Sequence, residues 1–323
     1  MRILITCPPM LGRMEDFRPF FANAGVEVVT PQVVQTLSEE ELIRLLPDMD
    51  GWIIGDDPAT ERVFRAGVAG NLKAAVKWGV GVDNVDFKAC ARLDLPITNT
   101  PMMFGAEVAD IAINYVIGLA RQTFWVDREV RKGNWPKPAG ISLAGRKAAL
   151  IGFGDIGKAA ASRLRALEME VAVYDPFASP SPADHVNYKF PAFPDELDRA
   201  DFVVITASLT PASRHMINAE SIAKMKKGVR IVNVSRGPII DEQALIQALE
   251  SGHVHSAALD VFEQEPLPAE SALRRFDRCI FGTHNGSNTV DAVQRASKKA
   301  IEYLFNFLDI PLLEEDWEQI PTP

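Results

Sequence analysis

Hydrophobic and polar positions over the first 95 residues fall into alternating blocks of two kinds. Short apolar runs at residues 3–6, 26–30 and 51–55 read as buried strands. Between them, residues 15–24 and 38–46 place apolar side chains at helical spacing. Strand and helix in alternation predict a parallel sheet with helical crossovers. Ser38-Glu39-Glu40-Glu41 has the Ser-x-x-Glu spacing of a capping box, which predicts a helix start at Ser38. Runs at residues 74–76 and 96–98 complete this half.

Residues 107–122 are apolar nearly all round (Val108, Ile111, Ala112, Tyr115, Val116, Leu119), so the helix there is expected to be buried on most sides. From Lys147 to about Thr283 the alternation resumes, with six strands expected at residues 148–152, 170–174, 202–206, 230–234, 257–259 and 280–281. The closing stretch 290–308 is helical, and its natural use is to return the chain to the first half. The expected organisation is therefore one discontinuous domain, residues 1–100 with 290–323, and a second, residues 101–289. Residues 179–182, rich in Pro, read as a surface loop.

A length of 323 residues favours two domains, and 47% hydrophobic with 24% charged residues is the balance of a globular protein able to bury a large core. The formal net charge of −9 argues against a nucleic-acid partner, which needs clustered Lys and Arg. Cys7, Cys90 and Cys279 form no CxxC pair and sit at no zinc-ligand spacing, so no metal site is expected and a reducing, cytoplasmic setting fits. Residues 2–7 read as a strand rather than a secretory segment, and no run approaches the ~20 apolar residues that span a bilayer. His253 and His255 lack a third ligand, and His185 and His215 read as surface residues.

The run Ala148-Ala149-Leu150-Ile151 leads into Gly152-Phe153-Gly154-Asp155-Ile156-Gly157 and then a helix, and Asp175 follows at the end of the next strand. That context makes a Gly-x-Gly-x-x-Gly dinucleotide loop. Gly152 permits the tight turn, Gly154 the approach of a pyrophosphate, and Gly157 close packing of helix on strand. The helix N-terminus offers N–H groups and a positive dipole end. Asp175 accepts from the ribose hydroxyls and repels a 2′-phosphate, which favours NAD over NADP.

Three more segments follow predicted strands: Asn233-Val234-Ser235-Arg236-Gly237, Asp260-Val261-Phe262-Glu263-Gln264-Glu265-Pro266, and Thr283-His284-Asn285-Gly286-Ser287. Ligands of parallel sheets bind at such carboxyl ends. Hydride transfer from a hydroxy acid needs a cation for the carboxylate, a base for the hydroxyl proton and a group to orient that base. Arg236, His284 and Glu265 supply one of each.

With these four motifs in order, the chain resembles the D-isomer-specific 2-hydroxyacid dehydrogenases over nearly its whole length. A fifth match, Gly79-Val80-Gly81-Val82-Asp83-Asn84-Val85-Asp86, resembles the family loop whose N–H groups hold the substrate carboxylate. The resemblance implies an α/β fold of two domains, each with a parallel sheet flanked by helices. One is a Rossmann-type NAD-binding domain and the other a flavodoxin-like substrate domain. It implies an oxidoreductase that moves a hydride between NAD and C2 of a small D-2-hydroxy or 2-keto acid, working as a homodimer through the NAD-binding domain. Arg236 would grip the carboxylate, His284 would exchange the hydroxyl proton, and Glu265 would favour the protonated imidazole needed for reduction near neutrality. Asp260 would hold the nicotinamide carboxamide, with Thr206, Ser208, Val234, Ser235 and Ser287 lining the cofactor site. Lys77, Gly79, Val80 and Gly81 would face the substrate.

The match also departs from the family in places. Thr206-Ala207-Ser208-Leu209-Thr210-Pro211 lacks the His and Pro that many relatives carry before Leu-Thr-Pro, and residues 101–107 are more apolar than the stretch found in phosphoglycerate enzymes. Lys77, and Lys137 in a segment resembling the dimer arm, raise the expectation of a substrate with a distal phosphate or carboxylate. No C-terminal regulatory domain of the kind some phosphoglycerate dehydrogenases carry is expected. Formate- or phosphite-oxidising enzymes of this fold are the alternatives, disfavoured by Glu265 and Val80 respectively, and a further alternative is an NAD-sensing co-repressor.

Overall fold

The computed structural model describes residues 1–312, so the end of the expected 290–323 segment lies outside the described residues. The chain divides into two compact units: Met1–Met103 with the chain from Asn288 onward, and Phe104–Ser287.

In the first unit β1 (Arg2–Ile5), β2 (Glu27–Val29), β3 (Gly51–Ile54), β4 (Ala74–Lys77) and β5 (Ile97–Asn99) form one sheet in the order β2-β1-β3-β4-β5. Every pairing is parallel, which gives the flavodoxin-like order. β3 and β4 are buried at every position, so they read as continuous apolar runs rather than as alternating ones. Helices α1 (Pro8–Leu11), α2 (Met14–Asn23), α3 (Glu39–Leu45), α4 (Glu61–Ala69) and α5 (Phe87–Arg92) form the crossovers. The expected capping box starts α3: the Ser38 hydroxyl accepts from the Glu41 amide, and the Glu41 carboxylate accepts from the Ser38 amide at 2.8 Å.

The second unit opens with α6 (Gly105–Arg121) and α7 (Thr123–Arg131). Its sheet contains β6 (Lys147–Ile151), β7 (Glu170–Tyr174), β8 (Phe202–Ile205), β9 (Val229–Asn233), β10 (Val254–Leu259) and β11 (Ile280–Phe281), all parallel, in the order β11-β10-β9-β8-β6-β7. Beyond β7, Lys189 adds one parallel bridge to Ala172, the remnant of an outer strand. Counting that remnant, the order is the doubly wound Rossmann one, with its switch point between β6 and β8. Helices α8 (Asp155–Ala166), α9 (Pro182–Asn187), α10 (Ala219–Ala223) and α11 (Glu242–Glu250) cover the sheet.

Residues 179–181 form the surface loop expected there, and only its last residue departs from that reading, because Pro182 begins α9. Ser181 caps that helix, exchanging hydrogen bonds with Asp184, and Pro at the first helical position needs no N–H partner. The closing helix α12 (Val290–Phe307) lies on the first sheet, where Leu304 and Leu308 fill the space beside Gly51 and Ser297 accepts from the Trp78 indole at 3.0 Å.

Candidate active site

A parallel sheet delivers the ends of β6, β8, β9, β10 and β11 to one edge, and in the second unit those ends carry the motif residues. The turn after β6 places Gly152 at φ +97°, a conformation that side-chained residues rarely adopt. A Cβ on Gly152 would meet the Ala207 amide nitrogen at 2.6 Å, and one on Gly157 would lie 2.1 Å from the Gly152 carbonyl oxygen. A Cβ on Gly154 would meet nothing within 4 Å. The loop is therefore tight against the protein at its first and last glycines and open at the middle one, the side on which a pyrophosphate would approach the N-terminus of α8. This cradle fits a dinucleotide.

Asp175 sits at the end of β7, as expected, with both carboxylate oxygens engaged by backbone. Oδ2 accepts from the Phe153 amide at 2.8 Å and Oδ1 from the Phe177 amide at 2.9 Å. Each oxygen keeps a second lone pair for a ribose hydroxyl. The Thr206 hydroxyl donates to the carbonyls of Ile151 and Gly152, so it ties β8 to the glycine loop rather than reaching outward. Ser208 is exposed, with its carbonyl accepting from Ser213 Oγ at 2.7 Å, and the Asp155 carboxylate lies against Gly105. Ile156 stands in the first turn of α8, Val234 is buried, and Ser287 closes the histidine segment half-buried.

Glu265 and His284 meet: Nδ1 of the imidazole is 2.8 Å from Oε2, and both side chains are about one-fifth exposed. An ionised carboxylate only accepts, so Nδ1 carries the hydrogen and Nε2 is the ring nitrogen that Glu265 does not engage. Glu265 Oε1 accepts from the Phe262 amide at 2.9 Å, which fixes the carboxylate to its own loop. His284 occupies the left-handed region, φ +53°, and its amide donates to the Asp260 carbonyl at 2.7 Å.

Arg236 follows β9, which lies next to β10. Its Nη1 donates to the Ser235 carbonyl at 2.9 Å, and the Asn233 amide group donates to the Arg236 carbonyl at 2.9 Å, so the arginine turn is braced from within. Gly237 lets this turn touch the glutamate loop, since a Cβ there would fall 1.9 Å from the carbonyl carbon and oxygen of Phe262. Asp260 is buried, and its carboxylate is held by the Gly286 amide at 2.9 Å and the Tyr115 hydroxyl at 3.3 Å. Tyr115 was not among the expected site residues. The available signal was a lone phenol within an otherwise aliphatic helix face.

In the first unit two expectations need correction. Lys77 ends β4 with 2% of its surface exposed; its ammonium donates to the Gly55 carbonyl at 2.5 Å and to Asp56 Oδ1 at 2.9 Å, so it does not reach outward to a distal anion. The Gly79 amide donates to Thr100 Oγ1 at 2.8 Å, which removes it from the expected carboxylate-binding set. The amides of Val80 and Gly81 donate to no protein acceptor among the described residues. Lys137 and Trp135 are exposed.

Other histidines are used locally: His253 bonds to the Ile222 carbonyl, His215 pairs with Glu263 at 2.8 Å, and His185 lies edge-on to Phe190. A cavity of about 510 Å³ opens at the opposite, amino-terminal edge of the second sheet. It is lined by Arg146, Lys147, Asp201 and Lys226 among others and holds none of the motif residues.

Residues 113–286 match the family model described as D-isomer specific 2-hydroxyacid dehydrogenase, NAD binding domain. A hydroxypyruvate reductase of Thermotoga maritima is 36% identical over 284 residues, covering 85% of this chain and 90% of that protein. The D-3-phosphoglycerate dehydrogenase 2, chloroplastic, of Arabidopsis thaliana is 36% identical over 259 residues, which is 79% of this chain but only 41% of that longer protein. Among solved structures, the TT0316 protein of Thermus thermophilus superposes with a TM-score of 0.83 at 28% identity, covering 96% of this chain and 97% of that one.

Proposed function

The chain belongs to the D-isomer-specific 2-hydroxyacid dehydrogenase family, whose NAD-binding domain it contains, and from that membership we propose that it moves a hydride between NAD(H) and C2 of a small D-2-hydroxy acid or its 2-ketoacid. The observation that carries this reading is the contact of Glu265 with His284 at 2.8 Å beside the arginine turn. It supplies an oriented proton donor and acceptor where a hydroxyl must be deprotonated.

Bound NAD supplies the hydride acceptor in oxidation and, reduced, the donor in the reverse direction. Glycines 152, 154 and 157 and the start of α8 would hold its pyrophosphate, and Asp175 its ribose. Arg236 offers a planar, doubly donating cation to the substrate carboxylate and polarises the C2 oxygen. His284 Nε2 takes the hydroxyl proton as the hydride leaves and returns it in reduction. Glu265 keeps the imidazole in the tautomer this requires and stabilises its charged form. The Val80 and Gly81 amides are suited to a carboxylate. Lys77 lends no support to a second anionic group, its ammonium being already held by Asp56.

Two further elements complete the reading. Pairing of two copies through the NAD-binding unit accounts for Val130 and Trp135 lying 42% and 78% exposed, and three buried free thiols suit a reducing cytoplasm. The test is a panel of 2-ketoacids assayed with NADH and with NADPH. Turnover of at least one ketoacid with a preference for NADH is expected. Background rates throughout would overturn the reading in favour of an NAD sensor.

A further inference from the structure

A phenol placed in the middle of a buried helix needs a partner for its hydroxyl. Tyr115 is the fully enclosed case, 6% exposed within α6, which packs across β9, β10 and β11. Its hydroxyl finds Asp260 Oδ1 at 3.3 Å. Asp260 in turn grips the histidine turn at two points: its carbonyl accepts from the His284 amide at 2.7 Å, and Oδ2 accepts from the Gly286 amide at 2.9 Å. Those points flank Asn285, so one residue holds both ends of the turn that keeps His284 at φ +53°. Gly282 belongs to the same device. A Cβ there would lie 2.0 Å from Asp260 Oδ1 and 2.4 Å from the Tyr115 oxygen, so no larger residue fits beside the pair.

We infer that Tyr115 is a positioning residue for His284, acting through Asp260. The inference rests on the proposed dehydrogenase reading and extends it. A carboxylate 4% exposed and held by one N–H and one O–H loses much of its fixed direction when the O–H is removed. With it goes the restraint on Gly286 and the aim of the imidazole. Tyr115 touches no reacting atom in this scheme. Its own hydroxyl is pushed up in pKa by burial and by the Asp260 carboxylate, so it stays a donor at every working pH.

The experiment is Tyr115→Phe in the full chain, which keeps the ring and removes only the hydroxyl. Expected are a roughly tenfold fall in kcat and a displaced NMR titration of the His284 imidazole, assigned among the five histidines with a His284→Gln variant. In an Asp260→Asn background the same substitution is expected to cost far less, as coupled residues require. An unchanged kcat with an unmoved His284 titration would overturn the inference, as would equal effects in both backgrounds. The NMR titration needs no substrate, so a chain that turns over no 2-ketoacid would fail the functional reading while this test still returned its own answer.

Discussion

Glu265 Oε2 stands 2.8 Å from His284 Nδ1 while its other oxygen is bound to the Phe262 amide. The carboxylate is anchored at both ends, so it directs the imidazole rather than following it. A hydrogen bond to a charged group contributes about 1.5–3 kcal/mol. Removing it by Glu265→Ala should therefore lower kcat by about 10- to 100-fold, with NADH binding intact. Steady-state kinetics beside NADH titration would decide this, and a parallel loss of NADH affinity would count against the orienting role.

Arg236 and His284 should separate kinetically. On the proposed reading His284→Ala removes the proton-exchanging group, and general acid–base catalysis is worth about 10²–10⁴-fold, so the loss should fall in kcat. Arg236→Ala should act mainly on the ketoacid KM, and Arg236→Lys should restore little, because an ammonium cannot reproduce the two-pronged donor. Identical kinetic signatures for the two alanine variants would argue that the roles are wrongly divided.

Asp175 holds the Phe153 and Phe177 amides, and on the proposed reading it also presents its charge to a 2′-phosphate. Asp175→Ala should raise the NADH KM by about tenfold and shift the NADPH-to-NADH ratio of kcat/KM towards NADPH. A ratio that stays put would show that cofactor choice is made elsewhere.

How much of this was legible in the sequence depended on how far apart the interacting residues lie. Strands such as Phe202–Ile205, buried at every position, announce themselves as apolar runs, and the glycine loop carries its geometry within one short, continuous stretch. The partners of Lys77, Gly55 and Asp56, come from the neighbouring strand's end and leave no mark on the local pattern. The same holds for the Gly79 amide, whose acceptor is Thr100. Tyr115 and Asp260 are 145 positions apart, beyond any periodicity. The start of α9 is different: Ser181-Pro182-Ala183-Asp184 is a local cap whose proline weighs the pattern towards a loop.

Gly237 offers a test of packing rather than chemistry. Its φ carries no strain, but a methyl group there would fall 1.9 Å from the Phe262 carbonyl, backbone that cannot swing aside as a side chain would. Overpacking of this kind costs about 1–3 kcal/mol. Gly237→Ala should thus lower the melting midpoint by about 2–10 °C and, by parting the arginine turn from the glutamate loop, reduce kcat/KM as well. Calorimetry and kinetics on one sample would check both, and an unshifted midpoint would mean the two loops separate freely.

His255 sets an acid limit on stability that is independent of turnover. It sits half-buried on β10, its Nδ1 2.9 Å from Ser256 Oγ. Burial first, then the nearby guanidinium groups of Arg230 and Arg278, push its pKa down from 6.5 to about 4. Above the unfolded value the residue is neutral in both states and has no effect on folding. As pH falls from about 6.5 towards 4, the unfolded chain takes up a proton that the folded one refuses, so stability declines through that window. His255→Gln should flatten this part of the profile, narrowing the gap between melting midpoints at pH 7 and pH 5. A gap as wide in the variant as in the parent would assign the acid sensitivity to other groups.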